Sequence, residues 1–133
     1  MDTRAFDIGM IGQVMPALLS YLDVTLLVAG VSIVLGSALG GLLAWASLAG
    51  GRVLRYLAAG YVYVMRCTPS IVLLFIVFYG LPKLIEGVFH YNINDMHRAV
   101  FAIIAFSLLF GAYISEVFRA GDLAVPRGQY EAA

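Results

Sequence analysis

The stretch VTLLVAGVSIVLGSALGGLLAWASLAGG, residues 24–51, indicates a membrane-spanning helix, because it runs for 28 residues without a formal charge. The hydrocarbon core of a bilayer is about 30 Å thick and a helix rises about 1.5 Å per residue, so a spanning helix needs roughly 20 apolar residues. The stretch is long enough to cross a membrane with some tilt. It is too long, and begins too far into the chain, for the apolar region of a signal peptide.

The composition of the whole chain also points to a membrane. Of the 133 residues, 62% are hydrophobic and 12% are charged, whereas a soluble domain carries about a quarter charged residues. The formal net charge is zero and the eight basic residues are scattered, which argues against nucleic acid as a partner. The single cysteine, Cys67, excludes an internal disulfide and a cysteine-based zinc site. His90 and His97 are interpreted as loop residues, so no metal is expected.

Two further apolar regions follow the first. The uncharged segments 56–65 and 67–82 are separated by Arg66, and together they suffice for a span if Arg66 lies near a surface or faces protein. A third uncharged run covers 99–115. We therefore predict an all-α, polytopic membrane protein. Its spanning helices are expected at about 18–47, 56–81 and 98–119.

The predicted organisation has an extracytoplasmic segment over 1–17, a transmembrane domain over 18–121 and a cytoplasmic segment over 122–133 that is either a loop or a surface helix. More basic residues fall on one side of the predicted spans than on the other, which favours an N-terminus outside and a C-terminus inside. The inner set is Arg52, Arg55, Arg66, Arg119 and Arg127, and the outer set is Arg4, Lys83 and Arg98.

Small residues recur every four positions in the first predicted span, at Ser32, Gly36 and Gly40. Such residues share one helix face and let another helix backbone approach closely. We predict a helix-packing role and no catalytic one. Coincidence is the alternative, because small residues are common in membrane helices.

The segment Arg66-Cys67-Thr68-Pro69 predicts a helix break. Pro69 lacks an N–H and disfavours helical geometry at Thr68, while Thr68 is a good N-cap for a new helix. The arginine must reach water or pair within the protein. An ordinary proline kink with a snorkelling arginine is the alternative.

Tyr113, Glu116 and Arg119 are spaced by three on the third predicted span and so share one face. Glu116 and Arg119 are expected to form an ion pair at the cytoplasmic end of this helix, and we hypothesise that Glu116 also meets Arg66. A local surface pair that contributes under about 1 kcal/mol is the alternative. The chain carries no phosphate-binding loop, nucleophile elbow or carboxylate pair, so it is not expected to be an enzyme.

Three motifs carry a resemblance to a known family. Thr25-Leu26 with the run 36–41 resembles the family's first helix, and Arg66-Cys67-Thr68-Pro69 with Tyr79-Gly80-Leu81-Pro82 is similar to its Arg-Gly-Thr-Pro and Gly-Leu-Pro stretch. The most specific block is 112–121 followed by 125–133, which looks like the approach to a permease EAA loop. The family is that of transmembrane permease subunits of bacterial ABC importers for polar amino acids, of the histidine, glutamine and arginine type.

The sequence departs from the family at two points. Cys67 stands where the family usually has glycine, and the sequence stops at the third residue of the EAA motif. The family continues through the coupling loop and two more spanning helices, so the three helices expected here are three of five.

The resemblance implies a multi-pass protein of the bacterial inner membrane with several partners. These are a second permease, identical or related, an extracytoplasmic amino-acid-binding protein and a cytoplasmic ABC ATPase that holds ATP-Mg. No cofactor is expected in this chain. The ATPase-docking residues implied are Gln129, Tyr130, Glu131, Ala132 and Ala133. Tyr113 and Glu116 are candidates for substrate contact.

A second hypothesis is a truncated, non-transporting membrane protein that at most associates with permease partners. The DNA downstream of the Ala133 codon discriminates between the two. An in-frame continuation with two further apolar runs selects the permease.

Overall fold

The computed structural model describes residues 8–93 and 95–126 of the chain. The predicted all-α class is confirmed, and the described residues contain no strand. The helices are α1 (Ile8–Ser20), α2 (Leu22–Leu48), α3 (Arg52–Cys67), α4 (Ser70–Phe75), α5 (Leu81–Phe89) and α6 (Arg98–Ala124), with a π-helical segment at Ile76–Gly80 between α4 and α5.

Three helical segments are long and apolar enough to cross a membrane. They are Leu22–Leu48, Ser70–Phe89 and Arg98–Ala124. In their most apolar windows, 17%, 17% and 33% of the residues are buried, so most of their surface is left for lipid or for further helices.

The first span begins later than predicted, at Leu22 rather than near residue 18. Residues 18–20 belong to α1, which contains Pro16 and is separated from α2 by a turn at Tyr21. The predicted extracytoplasmic segment 1–17 therefore includes most of a helix of 13 residues. At about 1.5 Å per residue, α1 is too short to cross a bilayer.

The second span differs most from the predicted range 56–81. Helix α3 ends at Cys67, Thr68 is extended with φ −92° and ψ 123°, and Ser70 opens a new helical segment that runs to Phe89. The physical reason is Pro69, whose ring disfavours helical backbone at the residue before it. One half of the predicted span is therefore a separate helix, and the crossing segment begins 14 residues later and ends 8 residues later than predicted.

The π-helical segment accommodates a second proline within the crossing helix. Pro82 has no N–H to donate to the carbonyl of Phe78, and its ring would clash with that carbonyl in a regular α-helix. A wider turn at Ile76–Gly80 relieves this conflict. The spanning helix continues through the proline.

Helix α6 begins at Arg98, as predicted, and ends at Ala124, five residues beyond the predicted end. Residues 122–124 are thus helical and do not belong to a loop. The Nδ1 atom of His97 accepts a hydrogen bond from the N–H of Ala99 over 3.3 Å, so this histidine caps the helix N-terminus.

The packing of α2 on α6 shows how the chain must cross the membrane between these two helices. Ser32 contacts Ile103, and Gly36 and Gly40 face Ser107 and Gly111, respectively. Successive contacts advance by four residues on both helices, so α2 and α6 run parallel. A parallel pair requires the chain to cross back once between them, and Ser70–Phe89 supplies that crossing.

The returning segment is held against the N-terminal half of α6 by the main apolar cluster. The rings of Phe78 and Phe101 meet edge to face with centroids 5.5 Å apart, a favoured arrangement for aromatic pairs. The buried members of the cluster are Leu73, Val77, Ile93, Phe101 and Ala105.

Candidate functional site

The small-residue face of α2 lies directly on the backbone of α6. The Oγ atom of Ser32 donates to the carbonyl of Ile103 over 3.5 Å. A Cβ atom added at Gly40 would lie 3.0 Å from the Gly111 oxygen and 3.1 Å from the Ser115 nitrogen, and one at Gly36 would lie 3.0 Å from the Ser107 oxygen. Only glycine permits this approach.

The sequence reasoning missed the α6 half of this contact. Ser107, Gly111 and Ser115 are also small and spaced by four, and all three are buried. The same periodicity that identified the α2 face would have found them. We call these two facing rows, Ser32, Gly36 and Gly40 with Ser107, Gly111 and Ser115, the small-residue seam.

The residues of the predicted break have distinct local roles. Arg66 lies in the last turn of α3, and Pro69 precedes α4. The expectation that Thr68 caps the following helix is wrong: its hydroxyl donates back to the carbonyl of Val64 over 2.8 Å. Thr68 thus closes α3, and α4 begins without a side-chain cap.

A charged and aromatic cluster joins α3 to the C-terminal half of α6. Two hydrogen bonds link Arg119 to Glu116, from Nη2 to Oε2 over 2.7 Å and from Nε to Oε1 over 3.3 Å. The guanidinium carbon of Arg66 lies 5.6 Å from the centroid of the Tyr113 ring, within the range of a cation–π contact. The four side chains therefore gather at one end of the bundle.

Arg66 and Glu116 do not form the ion pair that we hypothesised. Over the described ranges, the salt bridge of Glu116 is the one with Arg119. Arg66 instead lies over the ring of Tyr113, which precedes Glu116 by about one turn of α6. A hydrogen bond also joins α3 to α6, because the Tyr61 hydroxyl donates to the carbonyl of Leu108 over 2.9 Å. The spacing of residues in the sequence did not predict this bond.

A double-mutant cycle tests the Arg66–Tyr113 contact. Replacing Arg66 with glutamine and Tyr113 with leucine, singly and together, should give a coupling of about 0.5–1 kcal/mol in the free energy of unfolding. Titration of the purified protein from mild detergent into dodecyl sulfate measures it. A second cycle with Tyr113→Phe, which keeps the ring face under Arg66, should give a coupling near zero; equal coupling energies in the leucine and phenylalanine cycles would contradict the contact.

The two candidates for substrate contact occupy different surroundings. Tyr113 lines a groove of about 590 Å³ between α2 and α6, and the other lining residues, including Val28, Ile33 and Phe106, are mostly apolar. Glu116 is not among them and pairs with Arg119. The groove alone lacks the charged groups that would bind the ionised ends of an amino acid.

The predicted ATPase-docking residues, 129–133, lie outside the described residues. Helix α6 ends at Ala124 and the described chain at Pro126, so the structure gives the approach to this segment only. Across 8–93 and 95–126, no group of three or more His, Cys, Asp or Glu side chains is arranged to hold a metal ion.

The sequence of this chain is similar to those of known membrane transport proteins. Residues 32–133 match the family profile described as the inner membrane component of binding-protein-dependent transport systems. The L-cystine transport system permease protein TcyL of Bacillus subtilis is 38% identical over 130 residues, which cover 98% of this chain and 54% of that protein. The arginine transport system permease protein ArtQ of the same organism is 37% identical, covering 89% of this chain and 51% of its own length.

A third relative is the histidine, lysine, arginine and ornithine transport system permease protein HisQ of Salmonella typhimurium, which is 36% identical over 83% of this chain and 50% of its own length. Among solved structures, an amino acid ABC transporter crystallised with histidines matches with a TM-score of 0.77 and 27% identity. The match covers 97% of this chain and 56% of that one. The chain thus spans about half the length of the relatives it matches.

Proposed function

Because the chain belongs to the family of inner membrane components of binding-protein-dependent transport systems, with amino-acid ABC permeases among its relatives, we propose that its protein forms the transmembrane path for a polar amino acid. It does so as the permease subunit of an ATP-driven importer, paired with a second permease. The observation that carries the proposal is the family match over residues 32–133. The relatives' names, which include cystine, arginine, histidine and glutamine systems, support the substrate class.

In this proposal the permease does not supply the energy for transport. A separate cytoplasmic ABC ATPase, which holds ATP-Mg, supplies it, as the family membership suggests. An extracytoplasmic binding protein delivers the amino acid. The proposed topology, with the N-terminus outside and the C-terminus inside, puts Arg52, Arg55 and Arg66 on the cytoplasmic side.

Coupling between the ATPase and the path is mechanical in this proposal. The EAA segment, which includes Glu131, follows α6 after a few residues and docks on the ATPase. Movement of that segment displaces α6, and the rigid seam carries α2 with it because the backbones of α2 and α6 touch at Gly40 and Gly111. The Arg66–Tyr113 and Tyr61–Leu108 contacts transmit the same displacement to α3. The result is a rigid-body switch between outward and inward access.

Affinity purification of the full-length gene product that contains residues 1–133 tests the assignment. We expect an ABC ATPase subunit to copurify from mild detergent in a fixed ratio. A folded permease that purifies without any ATPase, under conditions that keep a known importer of this family intact, would contradict the proposal.

A further inference from the structure

Helix α3 has an exposed surface that the transport function does not use. Its buried side is narrow and consists of Ala58 and Val62, with Tyr61 and Met65 half-buried beside them. Its exposed side chains include Arg52, Arg55 and six large apolar or aromatic residues. These six are Val53, Leu54, Tyr56, Leu57, Tyr63 and Val64, each between 42% and 74% exposed.

The exposed residues of α3 are sorted around the helix by chemistry. At about 100° per residue, the three arginines Arg52, Arg55 and Arg66 fall within an arc of about 60°. The exposed aliphatic residues Val53, Leu54, Leu57 and Val64 fall within an arc of about 100° on the opposite side. Tyr56 and Tyr63 lie between the two arcs, where an amphipathic ring joins a polar region to an apolar one.

This arrangement is that of a helix in the plane of a membrane interface. Such helices carry basic residues on the polar side and aliphatic residues on the other. Helix α3 has 16 residues, or about 24 Å, less than the hydrocarbon thickness of about 30 Å. The crossing between the parallel helices α2 and α6 is supplied by Ser70–Phe89, so α3 is not needed as a span.

The positive charge of α3 favours lipids with anionic headgroups. Its sequence contains no Asp or Glu, and in the described part of the chain neither Arg52 nor Arg55 takes part in a salt bridge. Two exposed, unneutralised guanidinium groups on the polar side match phosphate-bearing anionic headgroups.

We propose that α3 lies in the membrane interface and binds anionic phospholipid, with Arg52 and Arg55 on the headgroups and Val53, Leu57 and Val64 in the acyl region. Arg66 adds charge at the end of the helix while its guanidinium rests over Tyr113. Anionic lipid thus holds the helix that leads into the break at Thr68 and Pro69. The site is independent of the transported solute and of the ATPase, so its failure would leave the proposed function intact.

Depth measurement tests the position of α3. In the full-length permease with Cys67→Ser, a fluorophore is attached after Leu57→Cys, Val64→Cys or Ala59→Cys, and the protein is reconstituted in phosphatidylcholine and phosphatidylglycerol in equal parts. Labels at 57 and 64 should lie at the same depth in the acyl region, and the label at 59, on the arginine side, should be quenched by aqueous iodide. A depth difference of about 10 Å between 57 and 64, expected for a spanning helix, would overturn the proposal.

Lipid preference is measured on the label at 57, with bromine carried by one lipid or the other. Quenching by brominated phosphatidylglycerol should exceed that by brominated phosphatidylcholine several-fold at low salt, up to about fivefold per arginine. Arg52→Gln with Arg55→Gln should bring the ratio to about one, whereas Lys83→Gln with Arg98→Gln, an equal loss of charge from α5 and α6, should leave it unchanged. Equal quenching in the unsubstituted protein would overturn the proposal, as would labels shielded from both lipid and water by a protein partner.

Discussion

Replacing Gly40 with alanine is expected to destabilise the protein by about 1–3 kcal/mol, the range for overpacking a close contact. The added methyl group would meet the Ile114 side chain and also the backbone of α6, at 3.0 Å from the Gly111 oxygen and 3.1 Å from the Ser115 nitrogen. The Ile114 side chain could move aside, but the other two are backbone atoms, so α2 and α6 must move apart by a few tenths of an ångström. Dodecyl sulfate titration of the purified full-length protein measures the loss as a shift in the unfolding midpoint.

Gly41 offers a matched control one residue away on the same helix. A Cβ atom there would meet nothing within 4 Å, and alanine exceeds glycine in helix propensity by about 1 kcal/mol. Gly41→Ala should therefore be neutral or stabilising. If the two substitutions had equal effects, the close approach of the helices at Gly40 would be wrong.

Replacing Glu131 with alanine is expected to weaken binding of the ATPase about 30-fold, the factor for a residue worth about 2 kcal/mol at an interface. Glu131 lies outside the described residues, and its docking role is implied by the family's EAA motif. It follows the end of α6 by seven residues. The measurement is the amount of ATPase that copurifies with tagged permease at increasing dilution.

Glu86→Ala is the matched control, because it removes one negative charge at a different place in the protein. Glu86 is an exposed acidic residue on α5, on the extracytoplasmic side of the proposed topology. This variant should retain the ATPase. Full association after Glu131→Ala would contradict the docking assignment, while loss in both variants would indicate a general effect of charge.

The hydropathy of the sequence was sufficient to predict the fold class and the number of spans. Residues 24–51 contain no charge over a length that exceeds the bilayer, so a spanning helix there follows from solvation alone. The third span also begins where predicted, at Arg98. The family resemblance read from the three motifs is confirmed by the match over residues 32–133.

Hydropathy did not predict the bounds of the second span correctly. Residues 56–81 have the right length and apolar content, and the proline signal at Pro69 was recognised, yet hydropathy does not say which side of a break crosses the membrane. That choice depends on packing: the Phe78 ring contacts Phe101 on α6, and Leu73 and Val77 are buried in the same cluster. These contacts join residues far apart in the sequence, so no local pattern contains them.

The cluster of Arg66, Tyr113, Glu116 and Arg119 contains one contact that the sequence predicts and one that it does not. The Glu116–Arg119 spacing indicates a pair on one helix, because helical geometry alone determines it. The partner of Arg66 depends on how α3 packs on α6, and the structure places the Tyr113 ring beneath the guanidinium. The Tyr61 hydroxyl reaches the Leu108 carbonyl for the same reason.

If this chain forms part of an ATP-driven path for a polar amino acid, proteoliposomes that contain the complete importer should take up that amino acid. The full-length permease is reconstituted with its partner permease and ATPase, the binding protein is added outside, and ATP is enclosed. We expect ATP-dependent accumulation of at least one of arginine, histidine, glutamine or cystine, abolished when the binding protein is omitted. A complete complex that hydrolyses ATP and accumulates none of these, while it accumulates a solute of another class, would contradict the proposed function.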